Sequence, residues 1–371
     1  MKKIVALLLA AVMVLGLAAC ASKAEPAKEE AAPAMSVAMI TDYGDITDQS
    51  FNQTTYEACK EYCEANSIKF TYYKPAGDSD AERTAMIEKA IDDGYNTVVM
   101  PGYAFAGAIK ETAGKYADVK FIALDVGEGD FGDFQLPANL YSAVYQEELC
   151  GYMAGYAAVK LGYTKLGFLG GMAVPAVVRY GYGFVQGADA AAVETGAAVE
   201  MKYAYGNQFF GDADITAAMD TWYQAGTECV FACGGGIFTS AAEAAAKVGG
   251  KVIGVDVDQA AIIDGAYGAG MTVTSAMKGL APTVKTLLAK VKDGKFEGGK
   301  IENLGLVSAT PADNYVQIAG STQFGDGFSE ADYAALVADM FAGKVTVSND
   351  ITKTAAEMAT VVAVEDLGNL K

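Results

Sequence analysis

Histidine is absent from all 371 residues. That removes the Ser-His-Asp triad, the Cys-His dyad and every histidine-bearing zinc site in one step. Tryptophan, a common stacking platform for sugars, occurs once, at Trp222 in a predicted helix. Bases are outnumbered, 27 against 46 acids, so a nucleic-acid backbone is a poor partner for this chain. After the N-terminal segment no apolar run is long enough to span a bilayer. What remains is a chain that is 52% hydrophobic and long enough for two domains.

Cysteine spacing excludes more. Cys59 and Cys63 stand four apart on a predicted helix, where the geometry keeps them beyond disulfide reach. With Phe51, Thr55, Ala58 and Tyr62 they form one expected buried stripe. Cys229 and Cys233 fall on one face of a strand, too far apart to bond, and Cys150 lies in a helix. All five read as small core residues, and no metal site is expected. Cys20 is different. Lys2 and Lys3 precede an apolar run from Ile4 to Leu17, and the run ends in Leu17-Ala18-Ala19-Cys20. This reads as a signal peptide over residues 1–20. Its end resembles the bacterial lipobox, in which the cysteine carries the lipid. Residues 21–35, rich in Ala, Glu, Lys and Pro, read as a flexible tether.

From residue 36 strands and helices alternate. Apolar runs at 37–41, 68–73, 97–100 and 119–124 predict strands, and periodic segments at 50–66, 80–93 and 104–116 predict helices. A second set follows, with strands at 165–169, 199–204, 228–232 and 251–255 and helices at 145–161, 177–194, 213–225 and 238–248. Strand 271–276, helix 279–293, strand 303–308 and a helix over 329–342 come after these. Two tandem βαβ sets predict an α/β chain of two Rossmann-like lobes with parallel sheets facing a cleft. The expected division is 36–143 plus 273–298 for one lobe and 144–272 plus 299–371 for the other.

In such folds ligands bind beyond the carboxyl ends of strands. The first of these loops is Met39–Gln53, MITDYGDITDQSFNQ. Asp42 ends a strand, Ser50 is placed to cap the next helix, and Phe51 and Asn52 fall in its first turn. A charged acceptor should therefore sit beside an aromatic face. This stretch resembles the first motif of the Bmp/PnrA-type basic membrane lipoproteins, and the resemblance extends over nearly all of the chain after residue 36. Members of that family are substrate-binding proteins of ABC importers. The resemblance implies the type I periplasmic-binding-protein fold, with a hinge of crossing strands, and a purine nucleoside as ligand.

Later loops carry the resemblance onward. Asp125 closes the strand FIALD at the crevice edge. Gly127, Gly129 and Gly132 match G-x-G-x-x-G, but the chain runs on to Pro137 as loop, with no helix opening at the third glycine. A nicotinamide or flavin site is therefore not expected. The stretch 165–184 resembles the opening of the family's second lobe, with Arg179 and Gly187 on the helix after Pro175. It reads as a plain turn that places a helix away from ligand. In Gly206–Asp212 the family places an aromatic that faces the base from the second lobe. Phe209 or Phe210 fills that role here, Phe209 being preferred, although two adjacent aromatics depart from the family's single one. Gly234 and Gly235 lack the Lys-Ser/Thr of a P-loop and are expected to let the backbone approach a sugar. GVDVDQ (254–259) and SAMK (275–278) resemble two further family motifs. In these Asp256 and Lys278 can hold vicinal hydroxyls, the carboxylate accepting and the ammonium donating. The other reading of that pair is a salt bridge across the hinge. The segment 303–320 resembles the family's C-terminal signature and is expected to carry a third crossing between lobes.

The resemblance thus implies a cofactor-free protein without enzymatic activity. It would be anchored by lipid to the extracytoplasmic face of the cell membrane, would be monomeric, and would deliver adenosine, guanosine or inosine to an ABC permease. Its base-contacting residues would be Asp42, Phe51, Asn52 and Phe209 or Phe210. Asp125, Gly234, Gly235, Asp256 and Lys278 would surround the ribose. Three rivals stand beside this reading: a monosaccharide-binding protein of the same fold, an adhesin or sensor, and a nucleoside-cleaving enzyme using Asp42, Asp45 and Asp48 with calcium. The order of those acids does not match an EF-hand loop.

Overall fold

The computed structural model describes residues 34–371. The expected signal peptide, the lipid-bearing Cys20 and residues 21–33 of the expected tether lie outside the described residues. The remainder builds two parallel-sheet lobes.

In the first lobe, β1 (Ser36–Ile40), β2 (Lys69–Tyr73), β3 (Thr97–Pro101), β4 (Lys120–Leu124) and β5 (Leu140–Tyr145) pair in parallel in the order β2-β1-β3-β4-β5. Every residue of β1 and β3 is buried, because helices cover both faces of such a sheet and the central strands must be apolar throughout. Helices α1 (Phe51–Ala65), α2 (Asp80–Asp92), α3 (Ala106–Thr112) and the single turn α4 (Glu128–Phe131) connect them. The turn α4 ends at Gly132 instead of opening there, so the glycine triplet does not form the dinucleotide fingerprint. The cysteine stripe of α1 is buried at Thr55, Ala58, Cys59 and Cys63, while Phe51 and Tyr62 at its edges stay half-buried. Cys59, Cys63, Cys150, Cys229 and Cys233 are all free and buried.

The second lobe repeats the plan. Strands β6 (Lys165–Gly170), β7 (Glu200–Tyr205), β8 (Cys229–Cys233), β9 (Lys251–Asp256) and β10 (Thr272–Lys278) pair in the order β7-β6-β8-β9-β10. Its helices are α5 (Glu147–Lys160), α6 (Pro175–Thr195), α7 (Ala213–Gln224), α8 (Phe238–Ala246) and α9 (Ala260–Tyr267). Helices α5 and α6 cross with their backbones nearly touching. A Cβ added at Gly155 would lie 2.1 Å from the Phe184 carbonyl oxygen, and one at Gly187 would lie 2.0 Å from that of Tyr152. Glycine is required at this crossing because no side chain fits between the helices.

Two strand placements correct the expected division. β10 pairs with β9 and so belongs to the second lobe. β11 (Lys300–Leu304) lies slightly before its predicted span and pairs in parallel with β5, extending the first sheet. Between them, α10 (Leu280–Lys292) packs on α1, with Lys285 on Glu61 at 2.7 Å and Lys292 on Asn66 at 2.6 Å. The chain therefore leaves the first lobe after Tyr145 and returns after Lys278. It leaves again after Leu304 to form β12 (Val316–Ile318), antiparallel to β10. Helix α11 (Glu330–Phe341) and the exposed edge strand β13 (Ala363–Asn369) complete the second lobe.

Candidate functional site

In each sheet the strand order reverses beside its first strand, between β1 and β3 and between β6 and β8. Such switch points leave a crevice at the strand ends. A cavity of about 520 Å³ lies there, lined from both lobes. That volume is in the range of small-molecule sites. Its lining includes all ten predicted contact residues: Asp42, Phe51, Asn52, Asp125, Phe209, Phe210, Gly234, Gly235, Asp256 and Lys278.

The first-lobe wall is built by the loop after β1. Asp42 is buried, and its Oδ1 accepts hydrogen bonds from the amides of Tyr43 and Gly44, both at 2.7 Å. Asn52 Nδ2 lies 3.4 Å from the same oxygen. Burial raises the Asp42 pKa, and the two amide bonds oppose that shift. Oδ2 lies beside Gly102, where a Cβ would come within 2.8 Å of it. Asp48, not Ser50, caps α1: its carboxylate accepts from the amides of Ser50, Asn52 and Gln53 at 2.9, 2.9 and 3.0 Å. Two acceptor oxygens reach more free helix-end amides than one hydroxyl could. The Ser50 hydroxyl is thereby released. It donates instead to Asp256 Oδ2 of the other lobe at 2.6 Å.

Phe209 forms the opposite wall. It is half-buried, and its ring is seated on glycines. A Cβ at Gly171 would meet Phe209 Cδ1 at 2.4 Å, and one at Gly234 would meet it at 3.0 Å. Gly234 and Gly235 line the cavity, and the missing side chain of Gly234 also makes room for the Phe209 ring. The Phe209 ring faces that of Tyr43 across the cleft at 6.3 Å between centroids and 28° between planes. Phe210 is 60% exposed and stands at the rim.

At the far end lies a buried cluster of charge. Asp125 directly follows β4 and Asp256 ends β9, and both sit in the left-handed region, at φ 60° and 65°. Non-glycine residues held there are strained, and such strain gathers at functional sites. Lys278 Nζ donates to Asp125 at 2.5 Å and lies 3.5 Å from Glu147 and 3.7 Å from Asp256. It also stands 4.6 Å from the centre of the Phe51 ring, within cation–π range. Burial disfavours the Lys278 ammonium, but Asp125, Asp256 and Glu147 outweigh it and hold the pKa above the usual lysine range. Burial raises the Asp256 pKa, with Lys278 and the Ser50 hydroxyl opposing. Tyr180 donates to Asp256 Oδ1 at 3.3 Å. Asp125 Oδ1 has no partner, which leaves a buried acceptor beside the cavity.

The three acids of the first loop are each otherwise engaged. Asp42 and Asp48 accept from backbone amides, and the exposed Asp45 pairs with Lys74 at 2.7 Å. Among the described residues no group of three His, Cys, Asp or Glu side chains is arranged to hold a metal. Cys233 lines the cavity, but burial pushes its thiol pKa well above the usual range, which disfavours the nucleophilic thiolate. Trp222 is in the core of the second lobe, away from the cavity wall.

Residues 35–311 match the sequence profile of Bmp, the PnrA-like substrate-binding proteins of ABC transporters. The chain belongs to the Bmp family. A Bmp relative from Lactococcus lactis, named an ABC transporter nucleoside-binding protein, is 31% identical over 290 residues, covering 72% of this chain and 78% of that one. Basic membrane protein A of Borreliella burgdorferi is 27% identical over 277 residues, with 73% and 76% covered. Among solved structures, a solute-binding protein of an ABC transporter from Aeropyrum pernix superposes with a TM-score of 0.65 at 20% identity. That match covers 87% of this chain and 90% of that one, and at this identity it speaks to the fold. The relatives are named as substrate-binding and membrane proteins, not as enzymes. Among the described residues no helix is long and apolar enough to cross a membrane.

Several residues of this Bmp cavity escaped the sequence reading. Val174, Pro175, Ala176, Val177 and Tyr180 line it, so the stretch read as a plain turn forms part of the wall. An apolar helix start carries no signal that separates a ligand wall from core packing. Tyr43 and Tyr103 also line it. Both follow the ends of switch-point strands, and applying the crevice rule to β3 as well as β1 would have found them.

Proposed function

We propose that this chain is the nucleoside-capturing component of an ABC importer. A purine base stacks between Phe51 and Phe209, which approach one cavity from opposite lobes. Asp42 and Asn52 read the polar edge of the base. Asp125, Asp256 and Lys278 hold the ribose hydroxyls. Aromatic stacking adds roughly 0.5–1.5 kcal/mol beyond area burial, and hydrogen bonds to charged groups add roughly 1.5–3 kcal/mol each. The observation that carries the reading is the presence, in one cavity of about 520 Å³, of an aromatic from each lobe, Phe51 and Phe209, together with a buried acid–lysine cluster. The name of the Lactococcus lactis relative supports the ligand class.

In this reading Cys20 carries the lipid, and the lobes stand on the extracytoplasmic face of the cell membrane. The loaded monomer delivers adenosine, guanosine or inosine to its permease. No bond in the ligand is broken. Mass spectrometry of ligand co-purified with the protein, followed by calorimetry with the three nucleosides and their free bases, tests the proposal. Tight nucleoside binding with weak base binding is expected. Failure of all three nucleosides to bind at millimolar concentration would overturn it, and release of free base from inosine would revive the cleaving enzyme.

A further inference from the structure

Glu147 does not line the cavity, yet its side chain is fully buried within the charged cluster. It opens α5 directly beyond the first crossing between lobes. Its Oε2 accepts from Arg179 Nε on α6 at 2.7 Å. Its Oε1 lies 3.5 Å from Lys278 Nζ and takes part in no hydrogen bond. The backbone contact of α5 with α6, closed at Gly151, Gly155, Gly183 and Gly187, fixes where this pair stands. Lys278 leaves β10 just where the chain crosses back to the first lobe.

An ammonium has three N–H donors. Asp125 of the first lobe takes one of them. Asp256, 3.7 Å away, is too distant for a good hydrogen bond and already accepts from Ser50 and Tyr180. Glu147, which does not line the cavity, draws the ammonium from 3.5 Å. Without that pull Lys278 would settle between Asp125 and Asp256 and occupy the acceptors that a sugar hydroxyl needs. We infer that Glu147, held by Arg179, is a positioning residue that keeps the Lys278 ammonium off Asp256, so that both remain open to ligand hydroxyls. The hydroxyls rest on the nucleoside reading above, whereas the placement of the ammonium does not.

The test compares wild type with Glu147→Gln and with the double variant Glu147→Gln/Arg179→Met. Glu147→Gln takes from the Arg179 guanidinium its carboxylate partner, and Arg179→Met then removes that unpaired buried group, so the double variant should recover melting temperature. Calorimetry measures adenosine and 2′-deoxyadenosine on each protein. Loss of one charge-assisted contact at the sugar should weaken adenosine about tenfold in both variants and narrow the preference over the deoxy ligand. In parallel, nitrogen-15 lysine labelling follows the buried Lys278 ammonium without ligand, its signal identified by its loss in Lys278→Met. The signal should shift, and its exchange with water should quicken, in both variants. If the signal moves but wild type binds no nucleoside, the positioning stands and the nucleoside reading falls. A signal that does not move, or a wild-type adenosine preference retained in the stably folded double variant, overturns the positioning role.

Discussion

Replacing Asp256 with Asn separates ligand recognition from folding. The residue sits at φ 65°, where asparagine is among the best tolerated side chains, so the backbone need not move. Size is conserved, while the charge and half of the acceptor capacity are lost. The cluster sets three carboxylates, Asp125, Glu147 and Asp256, against two cations, Arg179 and Lys278. Removing one carboxylate therefore balances it. Burial also raises the Asp256 pKa, which means that the folded state disfavours the ionised form. The apo variant should melt at or above the wild-type temperature. Binding should move the other way. Losing one or more hydrogen bonds from ribose to a charged group, at roughly 1.5–3 kcal/mol each, should weaken adenosine about 10- to 150-fold. It should weaken 2′-deoxyadenosine less, so the wild-type preference for the ribonucleoside, expected to be at least about tenfold, should shrink toward unity. Calorimetry with both ligands on both proteins, alongside apo thermal melts, reads every arm. An unchanged ratio would remove Asp256 from the 2′ position and leave it a partner of Lys278 across the hinge. A large drop in apo melting temperature would refute the charge argument.

Phe209→Ala should weaken adenosine by ~1–3 kcal/mol, as loss of a base-stacking aromatic does, whereas Phe210→Ala, at the exposed rim, should change it little; a larger loss for Phe210→Ala in calorimetry would reverse the assignment. Glu148, buried beside Glu147, has its carboxyl pushed up to about 7 by burial. Because that folded-state value exceeds the usual 4.5, the group's contribution to stability is fully present below 4.5 and is lost as pH rises through about 7. Glu148→Gln should therefore flatten the fall in melting temperature between those values, and an unaltered pH profile would count against it. Cys20→Ser should move the protein from the membrane fraction to the soluble one, and a variant still sedimenting with membranes would defeat the lipid anchor.

Much of this molecule was legible without coordinates. Strand and helix follow from local periodicity, and a parallel sheet covered on both faces demands the continuous apolar runs found at β1 and β3. Because crevices form where strands end, an acid at a strand terminus can be located from the chain alone, as Asp42, Asp125 and Asp256 were. Phe51 follows from its place in the first turn of a helix beside such a strand. The sheet to which each crossing strand belongs was not local information. Neither TVTSAMK of β10 nor KIENL of β11 says locally which sheet it joins, and their assignment depends on which neighbour, β9 or β5, offers a free edge. The seating of Phe209 on the glycine loop was equally hidden, since Gly234 and Gly171 lie far apart in the chain and meet only beneath the Phe209 ring. Ser50 looked like a cap until Asp48 reached the free amides of α1 and left the hydroxyl to Asp256. The convergence of Glu147, Arg179, Asp125 and Lys278 needs two lobe crossings and the glycine contact of α5 with α6. Burial then couples these charges strongly because water no longer screens them, and that coupling exists only once the tertiary structure has excluded the water.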